Sequence, residues 1–315
     1  MLQNLELCSI GSVEFSFDIP DIVFSLVFPA VLLALMVGGA VLSLRPQSAA
    51  SRDRRVQRWA TENLVSLTPD IAEAADAAMT HRNRLVGVAI LLAAGLTGPL
   101  LFLPDAGDGP PIAPWITAIA MGILITVAQS VQLTRPWFAS GATRAARLRP
   151  VTLEDYVPRL MRWSAWLSGG ICFLTVVVGS VTAASPAQAV LRVAPNLGVL
   201  VALAAAEWAG RRAAARPQPA RDAAELYAQD AWRTGAARYG FQGIALWGGI
   251  ATTFQTWNYD LLPVAETVLR IFGYGLVILS AVVLVVPYPP MNWTRRRLWP
   301  GLAAGEAVGV ETVTL

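Results

Sequence analysis

The chain contains no lysine, so all 24 of its basic residues are arginine. Without a lysine amine a Schiff base to a retinal-type chromophore cannot form. His81 is the only histidine, and one imidazole cannot supply two axial haem ligands or a histidine-based zinc site. The two cysteines, Cys8 and Cys172, form no CxxC pair, so neither a disulfide framework nor a cysteine-based metal site is expected. We therefore expect no metal and no cofactor.

Charge is also scarce, since charged residues make up 14% of the chain and hydrophobic residues 55%. This balance is typical of a protein that has the bilayer as its solvent. A transmembrane helix needs about 20 largely apolar residues. Seven stretches meet this length, and they predict an all-α bundle of seven transmembrane helices: Ile22–Leu44, Leu85–Leu103, Trp115–Leu133, Trp163–Ala184, Ala189–Ala209, Tyr239–Trp257 and Leu262–Pro287.

The arginines are concentrated in every second connection between these spans. All but two of them lie in four segments, namely 45–84, 135–162, 211–238 and 295–297. The alternate connections, 104–114, 185–188 and 258–260, have none. By the positive-inside rule, this pattern predicts a plasma-membrane protein with its N-terminus outside and its C-terminus in the cytoplasm.

The arginine-rich connections read as amphipathic helices at the inner face, because apolar residues recur among their charges. In the first connection, Thr68 followed by Pro69 predicts a helix start. In the second, Thr152 and Asp155 have the spacing of an N-terminal capping arrangement. The spans and connections together predict helices on the cytoplasmic side of the membrane as well as across it.

One motif, Asp-Ala-x-x-Thr-x-x-x-Arg, occurs twice at the same distance before an apolar span. Its residues are Asp76, Thr80 and Arg84 in the first copy and Asp230, Thr234 and Arg238 in the second. We interpret these six residues as a candidate docking site for a cytosolic partner. The recurrence also suggests an internal repeat in which spans 1–3 and 5–7 are related by an axis along the membrane normal.

The predicted organisation follows from this repeat. It has an extracellular segment (1–21), a first membrane half (22–162), a bridging span (163–188), a second half (189–301) and a flexible cytoplasmic tail (302–315). Pro99 is expected to break or kink the second span near its outer end.

Ionisable residues inside a span are costly and therefore mark candidate sites. Arg192 begins span 5, and Glu266 and Arg270 lie one turn apart in span 7, where they can pair. We treat these three as a candidate intramembrane polar cluster, with a structural ion pair and an outward-reaching Arg192 as the simpler interpretation. Glu207, at the inner end of span 5, is expected to pair with Arg211 and Arg212.

Tryptophans lie at or just beyond most predicted span ends, which is typical of the aromatic belt at membrane interfaces. They are Trp115, Trp137, Trp163, Trp208, Trp257, Trp293 and Trp299.

The stretch from Arg147 to Arg159, with Asp155-Tyr156-Val157-Pro158 before a span that begins with Trp163, resembles a stretch found in multi-pass membrane proteins of high-GC Gram-positive, actinobacterial type. Those proteins have no assigned activity. The resemblance implies only a plasma-membrane protein of that kind.

Two functions remain open from the sequence. The first is a permease-like or accessory component of a transport system that works with a cytosolic ATPase or another protein subunit. The alternative is a non-catalytic scaffold or regulatory subunit whose arginine-rich connections bind anionic lipid or a protein. No recognisable catalytic constellation occurs, so we do not expect an enzyme, and we expect no nucleic-acid partner.

Overall fold

A computed structural model describes residues 28–102, 112–135, 137, 150–183, 185–218, 220–256, 263–285 and 291–301. Within these ranges the chain forms α-helices and no β-strand, which confirms the predicted all-α class. The helices are α1 (Phe28–Leu44), α2 (Ala49–Asn63), α3 (Pro69–Thr97), α4 (Ile112–Gln132), α5 (Leu153–Tyr156), α6 (Arg159–Thr182), α7 (Pro186–Ala215), α8 (Ala223–Thr256), α9 (Pro263–Val285) and α10 (Met291–Leu298). The predicted extracellular segment 1–21, the predicted tail 302–315 and the outer connections 104–111 and 258–260 lie outside the described residues.

Four of the described helices are long and apolar enough to cross a membrane. They correspond to Pro69–Leu100, Trp115–Gln132, Arg159–Thr182 and Arg192–Ala215. A fifth candidate is the pair α1 and α2, if these helices, which meet at an angle of 91°, are counted as one broken span. The structure thus supports a multi-pass membrane protein with four or five candidate spans among the residues it describes, fewer than the seven predicted.

The sixth predicted span is the second half of α8, which lies at the centre of the bundle. It packs against α4, α6, α7 and α9, and Phe241, Ile244 and Ala251 are buried there. Since neighbouring helices cover this segment, it can carry glycine, threonine and glutamine at a lower hydropathy than a lipid-exposed helix needs. The seventh predicted span is α9, 23 residues long, which packs against α8.

The two helices that carry the motif are much longer than the spans predicted for them. Helix α3 has 29 residues and α8 has 34, which correspond to about 43 Å and about 51 Å. Each exceeds the hydrocarbon thickness of about 30 Å. The sequence predicted separate amphipathic helices before these spans. In the structure, the two Asp-Ala-x-x-Thr motifs lie instead within continuous helices that run on into the predicted spans.

The predicted helix starts are confirmed. Thr68 caps α3 by accepting a hydrogen bond from the backbone N–H of Ile71 at 3.3 Å, and Pro69 is the first helical residue. At α5, the backbone N–H of Thr152 donates to Oδ2 of Asp155 at 2.9 Å, as in a capping box. Helix α3 ends at Thr97, where a 3₁₀ turn that contains Pro99 begins.

The centre of the bundle is closely packed through glycines. A Cβ atom placed on Gly122 of α4 would lie 1.8 Å from the ring of Trp247 in α8. A Cβ atom on Gly248 of α8 would lie 1.8 Å from the hydroxyl oxygen of Ser168 in α6. Larger residues at these positions would force the helices apart, so the glycines permit the close approach.

Candidate functional site

The two copies of the motif lie on helices that share one apolar cluster. Its buried side chains come from α2, from the N-terminal parts of α3 and α8, and from Trp299 just after α10. Trp59 of α2 and Trp232 of α8 meet edge to face, with their ring centroids 6.2 Å apart. The hydroxyl group of Tyr227 donates to the backbone carbonyl of Asn63 at 3.0 Å. We call this assembly the α2–α3–α8 cluster.

The first copy of the motif binds α2 at the surface of this cluster. Asp76 accepts hydrogen bonds from Arg55 at 2.8 Å and from Arg52 at 3.3 Å, and its side chain is 23% exposed. Thr80 accepts from Arg55 at 3.3 Å. Arg84 is exposed. Asp76 and Thr80 therefore attach α2 to α3 by contacts that water can reach.

The second copy is buried. Asp230 has no exposed surface, and three donors from separate parts of the chain converge on its carboxylate. Its Oδ1 accepts from the hydroxyl of Tyr156 at 3.2 Å and from Nε2 of Gln218 at 3.0 Å. Its Oδ2 accepts from Nε1 of Trp299 at 2.9 Å. A buried carboxylate is stable only when it is paired in this way, so Asp230 ties α5, the α7–α8 connection and the C-terminal segment to α8.

Thr234, one helical turn after Asp230, is also fully buried, and its hydroxyl lies 2.8 Å from that of Thr294 in α10. Arg238 is half buried. Asp230 thus binds Trp299, just after α10, and Thr234 binds α10 itself, so neither side chain has an exposed surface for a partner. If Asp230 and Thr234 contribute to docking, they do so by fixing the position of neighbouring exposed residues and not by contacting a partner.

Helix α10 also contacts α5. Nε1 of Trp293 donates to the backbone carbonyl of Glu154 at 2.9 Å, and Arg297 lies 3.5 Å from Asp155. Trp299, predicted as part of the aromatic belt, is 5% exposed. That prediction is wrong for Trp299, because its ring packs against Tyr227 and its indole N–H donates a hydrogen bond to Asp230.

The three residues of the predicted intramembrane cluster are placed on two helices. Arg192 on α7 is buried, and its Nη1 donates to the carbonyl and the hydroxyl of Thr182 at 3.2 and 3.3 Å. Its side chain is thus buried at the C-terminal end of α6, which is the outer end in the predicted topology. Arg270 lies half buried on α9, and the side chain of Glu266 lies outside the described part. The pairing of Glu266 with Arg270 stays a prediction.

A further charged group, centred on Glu207, joins α6 to α7. Glu207 accepts from Nε and Nη2 of Arg162 at 2.7 and 3.0 Å, from Nε1 of Trp166 at 2.9 Å, and from Arg211 at 3.1 Å. The predicted pair with Arg211 is confirmed. The guanidinium of Arg212 instead lies over Trp208, 5.6 Å from the ring centroid.

The partner that sequence reasoning missed is Arg162, which precedes Glu207 by 45 residues. The paired carboxylate is 9% exposed, and the bidentate geometry is that of a strong ion pair. No local spacing links two residues so far apart. Only the antiparallel packing of α6 on α7 brings them together.

The chain was also compared with protein-family models, curated proteins and solved structures. No match was found. Its function is therefore inferred from this geometry alone.

Proposed function

We propose that the chain is a multi-pass plasma-membrane protein that acts as a non-catalytic scaffold or regulatory subunit, with the α2–α3–α8 cluster and α10 as a cytosolic platform for a protein partner. The observation that carries this proposal is the fully buried Asp230, which gathers Tyr156, Gln218 and Trp299. A satisfied buried network of this kind fixes one arrangement of its elements. A fixed arrangement is what a binding platform requires.

The outer face of the platform carries the charge that a partner would meet. On α2, Arg58 is 82% exposed and lies 3.7 Å from Glu62, which is 60% exposed. Arg54 is exposed as well. Exposed arginines of this kind recognise acidic protein surfaces through forked hydrogen bonds. We propose that this face of α2 is the contact surface, whereas Asp230 and Thr234 hold the platform together from within.

The proposed topology has seven spans with the N-terminus outside and the C-terminus inside, so that the arginine-rich cluster lies in the cytoplasm. The proposed repeat is supported by the helix order. Helix α3 packs between α1 and α4, and α8 packs against α7 and α9. Each helix that carries the motif thus contacts the long helices before and after it.

A second candidate is a permease-like transport component that works with a cytosolic ATPase, and the repeated helix order favours it. The packing of α4, α6 and α8 argues for the scaffold instead. Cβ atoms placed on Gly243 and Gly248 would lie 2.4 and 1.8 Å from side-chain oxygens of Thr126 and Ser168. Helices so close together leave no space for a substrate between them along this part of the bundle.

Photocrosslinking in native membranes tests the proposal. A crosslinker placed at Arg58 on α2 should capture one defined protein, and the same crosslinker at Leu174, which is exposed on α6, should not. With the crosslinker at Arg58, the substitution Arg54→Glu should weaken the capture, because it reverses the charge of a neighbouring exposed arginine. A nucleotide-binding subunit at Arg58 would favour the transport function. The same crosslinked products, in equal yield, at Arg58 and at Leu174 would refute the proposal that α2 binds a specific partner.

The topology has a separate test. In a Cys8→Ser background, cysteines at Gly107 and Gly141 should react with an impermeant reagent from outside and from inside, respectively. Labelling of both positions from the same side would refute the seven-span arrangement without bearing on the platform.

A further inference from the structure

An open groove runs between α6 and α7, beside the Glu207 ion pair. It encloses about 920 Å³, and Leu200, Leu203 and Ala204 form its apolar part. Trp166 and Trp208 border it and are 46% and 58% exposed. An apolar groove flanked by two exposed tryptophans is typical of a surface at the level of the lipid headgroups.

The same groove is positively charged at one end. Arg211 and Arg212 line it in the last turns of α7, and Arg216 lines it just after the helix ends. Glu207 is the only acidic residue among its lining residues, and its charge is already compensated by the bidentate contact with Arg162. The groove therefore presents an excess of positive charge to a ligand.

The guanidinium groups at this end are oriented by contacts that leave them exposed. Arg211 uses its Nε for Glu207, yet its side chain is 67% exposed. Arg212 is exposed and lies over the ring of Trp208. Arg216 donates one Nη to the backbone carbonyl of Thr134. Arginines with planar guanidinium groups held in this way suit the oxygens of a phosphate.

The dimensions of the groove match one acyl chain. At about 1.5 Å per residue, Leu200 and Arg211 are about 16 Å apart along α7. This distance is about half of a hydrocarbon core of about 30 Å. The face of α6 next to the groove is apolar and exposed, with Trp163 at 72% and Leu167 at 50%, as expected of a helix that contacts lipid.

We infer that the α6–α7 groove binds one phospholipid with an anionic headgroup, whose phosphate meets Arg211 and Arg212 and whose acyl chain lies along Leu200 and Leu203. The inference rests on the proposed membrane location but not on the proposed platform. The two proposals use different helices and different arginines, so either can fail while the other stands.

The experiment uses the full chain, purified in detergent, stripped of lipid and titrated with phosphatidylglycerol or phosphatidylcholine, with native mass spectrometry as the readout. One phosphatidylglycerol should bind in preference to phosphatidylcholine. Each arginine near an anionic headgroup contributes roughly fivefold to affinity. Arg211→Gln with Arg212→Gln should therefore bind phosphatidylglycerol about 30-fold more weakly.

The matched control is Arg45→Gln with Arg296→Gln, which removes the same charge from exposed positions outside the groove and should leave the affinity unchanged. Arg212→Gln alone should weaken binding about fivefold while sparing the ion pair of Glu207. An equal loss in the control pair would overturn the site in favour of general charge attraction. Equal affinity for both lipids, or a dimer that forms through the groove and displaces lipid, would overturn it as well.

Discussion

Replacing Asp230 by alanine is the sharpest test of how the platform is held together. The substitution removes the acceptor that Tyr156, Gln218 and Trp299 share and leaves three donors in a site with no exposed surface. A hydrogen bond to a charged group contributes about 1.5–3 kcal/mol, and a buried donor left without an acceptor costs about 1–3 kcal/mol. Because the three contributions are not additive and water can enter, we expect a loss of about 3–5 kcal/mol in total.

The chain offers a matched control at the same motif position. Asp76 makes contacts of similar length with Arg55 and Arg52, but it is 23% exposed, and an exposed ion pair contributes about 1 kcal/mol or less. Asp76→Ala should therefore cost several-fold less than Asp230→Ala. An asparagine at 230 should fall between them, since its amide group keeps one acceptor oxygen but turns a donor towards another donor.

Two measurements distinguish local release from general loss of stability. Thermal unfolding of the purified protein in detergent should show a drop in the midpoint of several degrees for Asp230→Ala and a small one for Asp76→Ala. Hydrogen exchange of residues 291–301 should speed up only in Asp230→Ala, because Trp299 and Thr294 attach this segment to α8. Equal midpoint shifts in the two variants, or unchanged exchange in 291–301, would refute the assigned role of Asp230.

Three further predictions concern other parts of the structure. Glu207→Gln should destabilise the protein by about 1.5–3 kcal/mol in thermal unfolding, because a neutral amide loses the ionic hydrogen bonds with Arg162, whose side chain is 24% exposed; no change would mean that the ion pair contributes nothing to stability. Gly248→Ala should cost about 1–3 kcal/mol, since its Cβ would lie 1.8 Å from the Ser168 hydroxyl oxygen. Gly170→Ala has open space around its Cβ and should stabilise its helix; a change of the same sign in both variants would contradict the packing. Burial raises the pKa of Tyr227 to about 12, against the opposing effect of Arg295. The phenolate absorbance of Tyr227, taken as the difference between the wild type and Tyr227→Phe, should therefore appear near pH 12 and not near pH 10.

Local signals predicted local structure well. The caps at Thr68 and Thr152 and the end of α3 before Pro99 depend on residues within three or four positions of each other, and side chains at that range interact whatever the fold. The two copies of the Asp-Ala-x-x-Thr motif were also visible from their spacing, and the structure places both in one cluster.

What the sequence did not predict depends on packing between distant segments. The burial of Asp230 follows from the return of Trp299, 69 residues later, to the same helix, and no periodicity encodes that return. The partner of Glu207 was missed for the same reason. The central position of α8 was not predicted either, because polar residues such as Gln242 and Thr252 in a span do not by themselves reveal which helices cover it.

The length of α3 has a mechanical consequence. One unbroken helix of 29 residues connects the α2–α3–α8 cluster to the membrane, and it behaves as a lever about 43 Å long. A tilt of about 10° around its midpoint moves each end by about 4 Å and moves Asp76, about 10 Å from the midpoint, by about 2 Å, which is enough to break its 2.8 Å hydrogen bond with Arg55. A change in bilayer thickness that tilts α3 would therefore shift Asp76 relative to Arg55, so that bilayer thickness would alter the contact between α2 and α3.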